Sequence, residues 1–162
     1  MLSVGDPTCR IHDKGTDEKM GRWSWTRFQG LNGRMTRFIS AYRLVKNPNG
    51  PSSVWNQHVW WINSNNCTSN PHKLFEEDLL DQLSRWINDG EQIWLGMDVN
   101  ENAITGDFAQ ALKDLGLNNL HASRHDQGTL PPTCSKAKTP KPPIDGIFVT
   151  WSPRNRMRDV MC

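Results

Sequence analysis

Apolar residues recur at two different spacings along this chain, and the spacing predicts where strands and helices lie. Alternating or wholly apolar runs typical of strands cover residues 23–28, 35–45, 91–97, 129–135 and 144–150. An Asn-Gly pair at Asn32-Gly33 separates the first two runs, so residues 22–45 are predicted to form a β-hairpin. The 91–97 run carries so few polar residues that we expect a strand buried on both faces.

Three segments instead carry apolar residues at helical spacing. Residues 53–62 form the first, and a segment from about Gly106 to Leu115 forms the last. The clearest begins after Asn70, a good N-cap, has Pro71 at its first helical position and ends at Gly90. Its apolar stripe consists of Phe75, Leu79, Leu83, Trp86 and Ile87. This mixture of strands and helices predicts a layered α/β or α+β domain.

The length and composition favour one globular domain. The chain has 162 residues, 36% of them hydrophobic, and eight Trp supply bulky core side chains. We expect residues 1–21 to be a polar loop segment, residues 22–151 the domain, and residues 152–162 a basic tail. The longest apolar stretch, Ile93–Met97, is far shorter than the roughly 20 residues that span a bilayer. With no signal-like start, the prediction is an intracellular protein, nuclear or cytoplasmic, without membrane contact.

Charge and cysteine content narrow the function classes. A formal net charge of +2 excludes a generally polybasic protein. Basic residues nevertheless cluster between Lys136 and Arg158, which fits either a solvated face or contact with a polyanion. The four cysteines are far apart and form no closed zinc pattern, so we interpret them as separate reduced thiols.

Candidate chemistry lies at the ends of two predicted strands. The apolar run 93–97 leads into Asp98-Val99-Asn100, and alternation places Asp98 and Asn100 on one face. The Asp98 carboxylate accepts hydrogen bonds and the Asn100 carboxamide donates them, and such a pair can hold and deprotonate a water next to a phosphate. Asp145 lies in an otherwise apolar strand, where a buried carboxylate needs a partner, commonly a histidine that it orients. Both sites have a plainer interpretation: Asp98 and Asn100 as turn caps, and Asp145 as an acceptor for backbone donors.

Four motifs in order carry a family resemblance. They are Phe38-Ile-Ser-Ala-Tyr42-Arg43, Ile93-Trp-Leu-Gly-Met-Asp98-Val-Asn100, Pro131-Pro-Thr133-Cys-Ser and Ile144-Asp145-Gly-Ile-Phe148. Over about residues 21–151 this succession resembles the endonuclease/exonuclease/phosphatase superfamily, whose members include DNase I-like nucleases. The segments Gly21–Trp25 and Asn70–Phe75 look most like its retroelement-associated members.

The resemblance implies a four-layered α/β sandwich of two packed, mostly antiparallel sheets flanked by helices. It also implies Mg²⁺-dependent hydrolysis of phosphodiester bonds. In this family Asp98 would activate the attacking water, Asn100 would donate to the phosphate, Tyr42 would contact it, and Asp145 would orient a catalytic histidine. Asp98 is a candidate metal ligand, and the metal would neutralise charge on the phosphate oxygens.

The same resemblance implies a nucleic-acid partner, with DNA favoured over RNA. Candidate contacts are Arg43, Lys136, Lys138 and Lys141. A retroelement origin would add a neighbouring reverse transcriptase as a partner.

The sequence departs from the family pattern at both ends. Neither the early strand with the metal-binding Glu nor the terminal Ser-Asp-His strand is present, and all five histidines precede Asp145. We therefore expect an incomplete domain with weak or no activity alone, and exposed apolar side chains at a sheet edge, with Trp23, Trp25 or Trp151 as candidates. A non-catalytic nucleic-acid-binding remnant and a generic α/β interaction domain are the alternatives. If the family interpretation holds, Tyr42, Asp98, Asn100 and Asp145 should meet at one end of the sheets.

Overall fold

Six strands form one mixed sheet, with three helices beside it. The computed structural model describes residues 10–30, 33–47, 49–50, 52–125, 132–133 and 142–150. The strands are β1 (Ile11–Thr16), β2 (Trp23–Gln29), β3 (Met35–Tyr42), β4 (Gln92–Asp98), β5 (Asn118–Asn119) and β6 (Asp145–Val149). The helices are α1 (Val54–Ser64), α2 (Pro71–Asn88) and α3 (Asp107–Asp114). The strand order is β1-β2-β3-β4-β6-β5, and only the β3–β4 pairing is parallel.

The elements with strong local signals form as predicted. Strands β2 and β3 pair antiparallel over their whole length, which confirms the hairpin. Helix α2 begins where Asn70 accepts a hydrogen bond from the Lys73 N–H at 3.0 Å and Pro71 takes the first position. The helices predicted near 53–62 and 106–115 are present as α1 and α3.

Two predicted loops contain strands. Residues 11–16 were expected to lie in the N-terminal loop but form β1, which pairs with β2, so the sheet starts before residue 22. The short β5 pairs with β6 and was not predicted. Most of the strand expected at 129–135, and the basic segment at 152–162, lie outside the described residues. Among the described helices, none is long and apolar enough to cross a bilayer.

The core lies between one face of the sheet and helices α2 and α3. Ile39, Leu95 and Phe148 are in register on adjacent strands and less than 4% exposed. They pack against the apolar stripe of α2 and against α3. The core residues of these helices are Phe75, Leu79, Leu83 and Trp86 on α2, and Phe108, Ala109 and Leu112 on α3. Burial of this shared apolar surface is the main contribution to the stability of the fold.

The opposite face, which we call the open face, is only partly covered. Phe38 stacks on Trp94 with ring centroids 5.6 Å apart, and Phe28 packs edge-on against Phe38. Phe38 is 36% exposed and Trp94 half-buried, so the prediction that β4 is buried on both faces is wrong. The α/β class is confirmed. A second sheet, which the four-layered sandwich requires, is not among the described residues.

Of the three tryptophans expected to be exposed, the structure describes Trp23 and Trp25, and neither is exposed. Trp23 is buried, and Trp25 is partly buried against the core. Trp151 lies outside the described residues. Apolar exposure occurs instead at Phe38 on the open face and at Trp60 on α1, which is 70% exposed.

A buried arginine joins the sheet to α2. Arg37 donates from Nε and Nη2 to the carboxylate of Glu91 at 2.7 and 2.9 Å. Its guanidinium carbon lies 4.0 and 4.1 Å from the ring centroids of Trp25 and Trp86, which are in edge-on contact with each other. Charge pairing and cation–π contact therefore stabilise the same group.

A second buried ion cluster lies at the start of β2. Arg22 donates to Asp17 at 2.6 Å and to Asp78 of α2 at 2.7 Å. Burial raises the pKa of Asp17, but the hydrogen bonds and charge of Arg22 outweigh it, and the net pKa is lowered. Burial and the charge of Arg22 lower the pKa of His58 on α1, against an opposing effect of Asp17.

Candidate active site

Three of the four predicted catalytic residues lie in one row across the sheet. Tyr42 is the register partner of Asp98 in the β3–β4 pairing, and Asp98 is the register partner of Asp145 in the β4–β6 pairing. Register partners on adjacent strands point to the same face, with strands about 4.8 Å apart. The expected convergence of these side chains at one end of the sheet is confirmed for Tyr42, Asp98 and Asp145.

The fourth residue, Asn100, lies in a turn and not in the strand. Strand β4 ends at Asp98, and the Asp98 carboxylate accepts the Asn100 backbone N–H at 3.0 Å. Asn100 has φ of 52°, a left-handed conformation that Asn tolerates well. Its side-chain amide donates to the backbone carbonyl of Arg43, and Val99 is fully buried. The side-chain alternation predicted from Asp98 to Asn100 thus gives way to an Asx turn, although Val99 does point to the other side.

The row is open to solvent on its outer side. Tyr42 is 45% exposed and Asp98 half-buried. Asp145 is exposed, so the prediction of a buried carboxylate is wrong: it is the first residue of β6 and lies on the open face. Partial burial raises the pKa of Asp98, the Asn100 N–H opposes this, and the negative charge of Asp145 adds to the rise.

The predicted nucleic-acid contacts differ in how far the structure describes them. Arg43 is largely buried and bonded within the protein: its Nε donates to Glu76 at 2.8 Å and its Nη1 to the carbonyl of Val99 at 3.1 Å. Lys136, Lys138 and Lys141 lie outside the described residues.

Three acidic residues lie in or near the row, and their positions decide whether they could hold a metal ion together. Asp98 and Asp145 face each other, but the described residues contain no group of three or more His, Cys, Asp or Glu side chains that could hold a metal ion. Glu101 does not complete such a group, because its carboxylate accepts the Phe108 N–H at 2.8 Å and pairs with Arg43 at 3.4 Å. Asp98 and Asp145 are therefore the two neighbouring carboxylates that the described row contains.

Two residues that fix the site have no strong local signal in the sequence. The Thr133 hydroxyl oxygen accepts the N–H groups of Ile144 and Asp145 at 3.0 and 3.1 Å and so anchors the start of β6. Glu101 binds the first turn of α3, where the N-cap residue Gly106 has no side chain to do so. The Pro-Pro-Thr motif pointed to Thr133 only through the family resemblance. A cavity of about 600 Å³ between β1 and α2 includes none of the row residues.

Comparisons with known proteins give structural similarity alone. No family model and no curated protein sequence matches the chain. It is similar to the catalytic domain of human Nocturnin with a bound sulfate anion (14% identity, TM-score 0.46, 79% of this chain and 40% of that one). It is also similar to an endonuclease/exonuclease/phosphatase family protein from Leptotrichia buccalis (16% identity, TM-score 0.41, 80% of this chain and 41% of that one). A third similar structure is a Staphylococcus aureus beta toxin variant with bound magnesium ions (17% identity, TM-score 0.40, 79% of this chain and 41% of that one). This chain thus spans 40–45% of the length of the solved structures it resembles.

Proposed function

We propose that this domain is of the metal-dependent phosphodiesterase type and acts on nucleic acid as an endonuclease, with weak activity as the chain stands. The observation that carries the proposal is the row of Tyr42, Asp98 and Asp145 on one face of three adjacent strands. Residues far apart in sequence supply a base, a hydroxyl donor and a second carboxylate at one accessible edge.

Asp98 is the proposed general base. Burial and the charge of Asp145 raise its pKa against the opposing Asn100 N–H, which strengthens the carboxylate as a proton acceptor. The Asn100 N–H holds one carboxylate oxygen, so the other is free to accept a proton from an attacking water. Because Asp98 is half-buried, a water can reach it from the open face.

Tyr42 and Asn100 are the proposed phosphate contacts. The exposed Tyr42 hydroxyl can donate to a non-bridging phosphate oxygen as negative charge develops there. Asn100 uses one of its two amide protons on the Arg43 carbonyl, which leaves the second for the phosphate. Asp145, in this proposal, orients an imidazole, and its exposure leaves room for one.

The residues present fit a divalent cation in a limited way. Mg²⁺ prefers oxygen ligands and is commonly held by one or two carboxylates together with waters; Asp98 would provide one carboxylate, and waters the remaining ligands. When bound, the cation would supply charge neutralisation at the phosphate oxygens. With only one carboxylate as a ligand, we expect weak binding.

Nucleic acid, DNA in particular, is the proposed substrate class, and a retroelement the proposed origin. The support is the order of the four motifs and the cluster of Lys136, Lys138 and Lys141 on the chain before β6. A neighbouring reverse transcriptase would then be a partner of this domain.

Cleavage of supercoiled plasmid and of a fluorescent oligonucleotide, with Mg²⁺ or with a chelator, tests the proposal. We expect slow, Mg²⁺-dependent nicking that Asp98→Asn abolishes. Asp81→Asn, the same chemical change at a 62% exposed side chain on α2, should leave the rate unchanged. Added imidazole should accelerate nicking in the wild-type chain and not in Asp145→Asn.

Two outcomes overturn the proposal. Nicking that persists in Asp98→Asn would indicate a contaminating nuclease or a different site. Salt-dependent DNA binding with no nicking under any of these conditions would favour the non-catalytic nucleic-acid-binding alternative.

A further inference from the structure

Arg43 contacts each of the three residues that follow one another at the end of β4. Its backbone N–H donates to the Asp98 carbonyl at 3.0 Å, and its Nη1 donates to the Val99 carbonyl at 3.1 Å. Its own carbonyl accepts the side-chain amide of Asn100. Two of these bonds use the backbone of Arg43, and only the bond to Val99 uses its side chain.

The guanidinium also ties this turn to two helices. Glu76 of α2 pairs with Arg43 at 2.7 Å, and Glu101 pairs with it at 3.4 Å while capping the first turn of α3 through Phe108. The Arg43 side chain is 12% exposed. A planar guanidinium with several fixed N–H donors can serve Glu76, Glu101 and the Val99 carbonyl together, which a lysine ammonium cannot do in the same geometry.

We infer that Arg43 is a positioning residue that holds the Asp98–Val99–Asn100 turn in its reactive conformation, and that it does not contact nucleic acid. The inference rests on the proposed function for what the turn does, and on the contacts above for how it is held. It replaces the sequence-based expectation that Arg43 binds phosphate. The side chain already has two carboxylates and a carbonyl as partners, and a phosphate would have to displace them.

Arg85 lies on the exposed surface of α2, where it pairs with Asp81, so Arg85→Gln makes the same chemical change as Arg43→Gln away from the turn and serves as its control. In nicking assays we expect kcat to fall about 10²-fold in Arg43→Gln, because small displacements of reacting groups are costly, with KM unchanged. Arg43→Lys should recover little of the loss, and Arg85→Gln should stay close to wild type.

DNA binding at several salt concentrations provides the second readout. A phosphate-contacting arginine, when removed, lowers the slope of log affinity against log salt by about one. We expect an unchanged slope and unchanged affinity in Arg43→Gln. A slope reduced by about one, with KM raised and kcat kept, would overturn the inference.

Amide exchange and carboxyl titration by NMR provide a readout that needs no activity. In Arg43→Gln the Asn100 amide should lose protection and the pKa of Asp98 should shift, while amides in the centre of β4 stay protected. These changes in a chain that neither nicks nor binds DNA would refute the proposed function and leave the positioning role intact. An unchanged Asn100 amide and Asp98 pKa in a folded Arg43→Gln variant would refute the positioning role alone.

Discussion

Asp98 and Asp145 stand directly opposite each other on antiparallel strands, 47 residues apart in sequence. Cross-strand partners have Cβ atoms about 5 Å apart, and like charges at that distance repel. Burial is the larger cause of the rise in the pKa of Asp98, and this repulsion adds to it. The fold therefore holds an unfavourable pair of carboxylates at an accessible edge, an arrangement that functional sites often contain.

Replacing Asp98 by Asn should stabilise the protein at neutral pH. A raised pKa in the folded state means that the folded protein binds the proton more tightly than the unfolded chain. The contribution of Asp98 to stability is thus fully present below its ordinary pKa of 3.8 and is lost as pH rises through the higher folded value. Asparagine keeps the acceptor for the Asn100 N–H without the charge. We expect a higher Tm for Asp98→Asn at pH 7, with the gap closing as pH falls toward 3.

Asp81→Asn is the control for this comparison. Asp81 is exposed and paired only with Arg85 on the helix surface, so its removal should lower Tm slightly or not at all. A Tm for Asp98→Asn that is equal to or below the wild-type value at pH 7 would contradict the repulsion described here.

Stability should fall as pH drops below about 6.5, because His58 resists protonation. Burial and the charge of Arg22 lower the pKa of His58, so the unfolded chain takes up a proton in this range before the folded one does. The contribution of His58 to the free energy of unfolding is present above pH 6.5 and is lost as the pH falls through the lower pKa of the folded state. Asp98, whose pKa is raised by burial and by the charge of Asp145, acts in the opposite direction. Denaturant midpoints measured between pH 7.5 and 5.5 should decrease in the wild type.

His58→Gln should flatten that decrease, and His121→Gln should not, since His121 lies exposed after β5. An equally steep decrease in His58→Gln would assign the pH dependence to another group.

The features that the sequence predicts well are those with local causes. Helix α2 has its cap, its proline and its apolar stripe within one segment, so its bounds follow from Asn70, Pro71 and the spacing of five side chains. Strand β1 has no such signal: Ile11–Thr16 is polar, and it becomes a strand only because β2 offers a paired edge. Polar residues such as Lys14 are typical of edge strands, which makes them resemble loops in a sequence.

The candidate site illustrates the same limit. Its residue types and their meeting point follow from strand ends and motif order, yet their environments do not. Asp145 has apolar neighbours and was expected to be buried, but the open face leaves it exposed. Arg43 has the charge of a phosphate contact, but its partners Glu76 and Val99 are 33 and 56 residues away, and only the folded sheet brings them together.

The open face should bind a hydrophobic dye through Phe38 and its neighbours. Phe38 is 36% exposed and stacks on Trp94, which forms a partly exposed aromatic patch. We expect Phe38→Thr to reduce dye fluorescence strongly, since threonine keeps the strand preference without the ring. Trp60→Gln removes the more exposed but separate ring on α1 and should reduce it less. A larger loss in Trp60→Gln would place the binding surface on α1 instead.

Replacing Arg37 by Lys should destabilise the fold although the charge is kept. The guanidinium contacts the rings of both Trp25 and Trp86 and donates twice to Glu91, and an ammonium group can do neither in the same way. Loss of a desolvated cation–π contact and of one charge-assisted bond should cost about 2 kcal/mol in the free energy of unfolding. Urea denaturation should give a lower midpoint with an unchanged slope, because the surface exposed on unfolding stays the same. Arg85→Lys on the surface of α2 should change the midpoint little. Equal midpoints for Arg37→Lys and the wild type would mean that the two tryptophan rings accept an ammonium group as readily as a guanidinium.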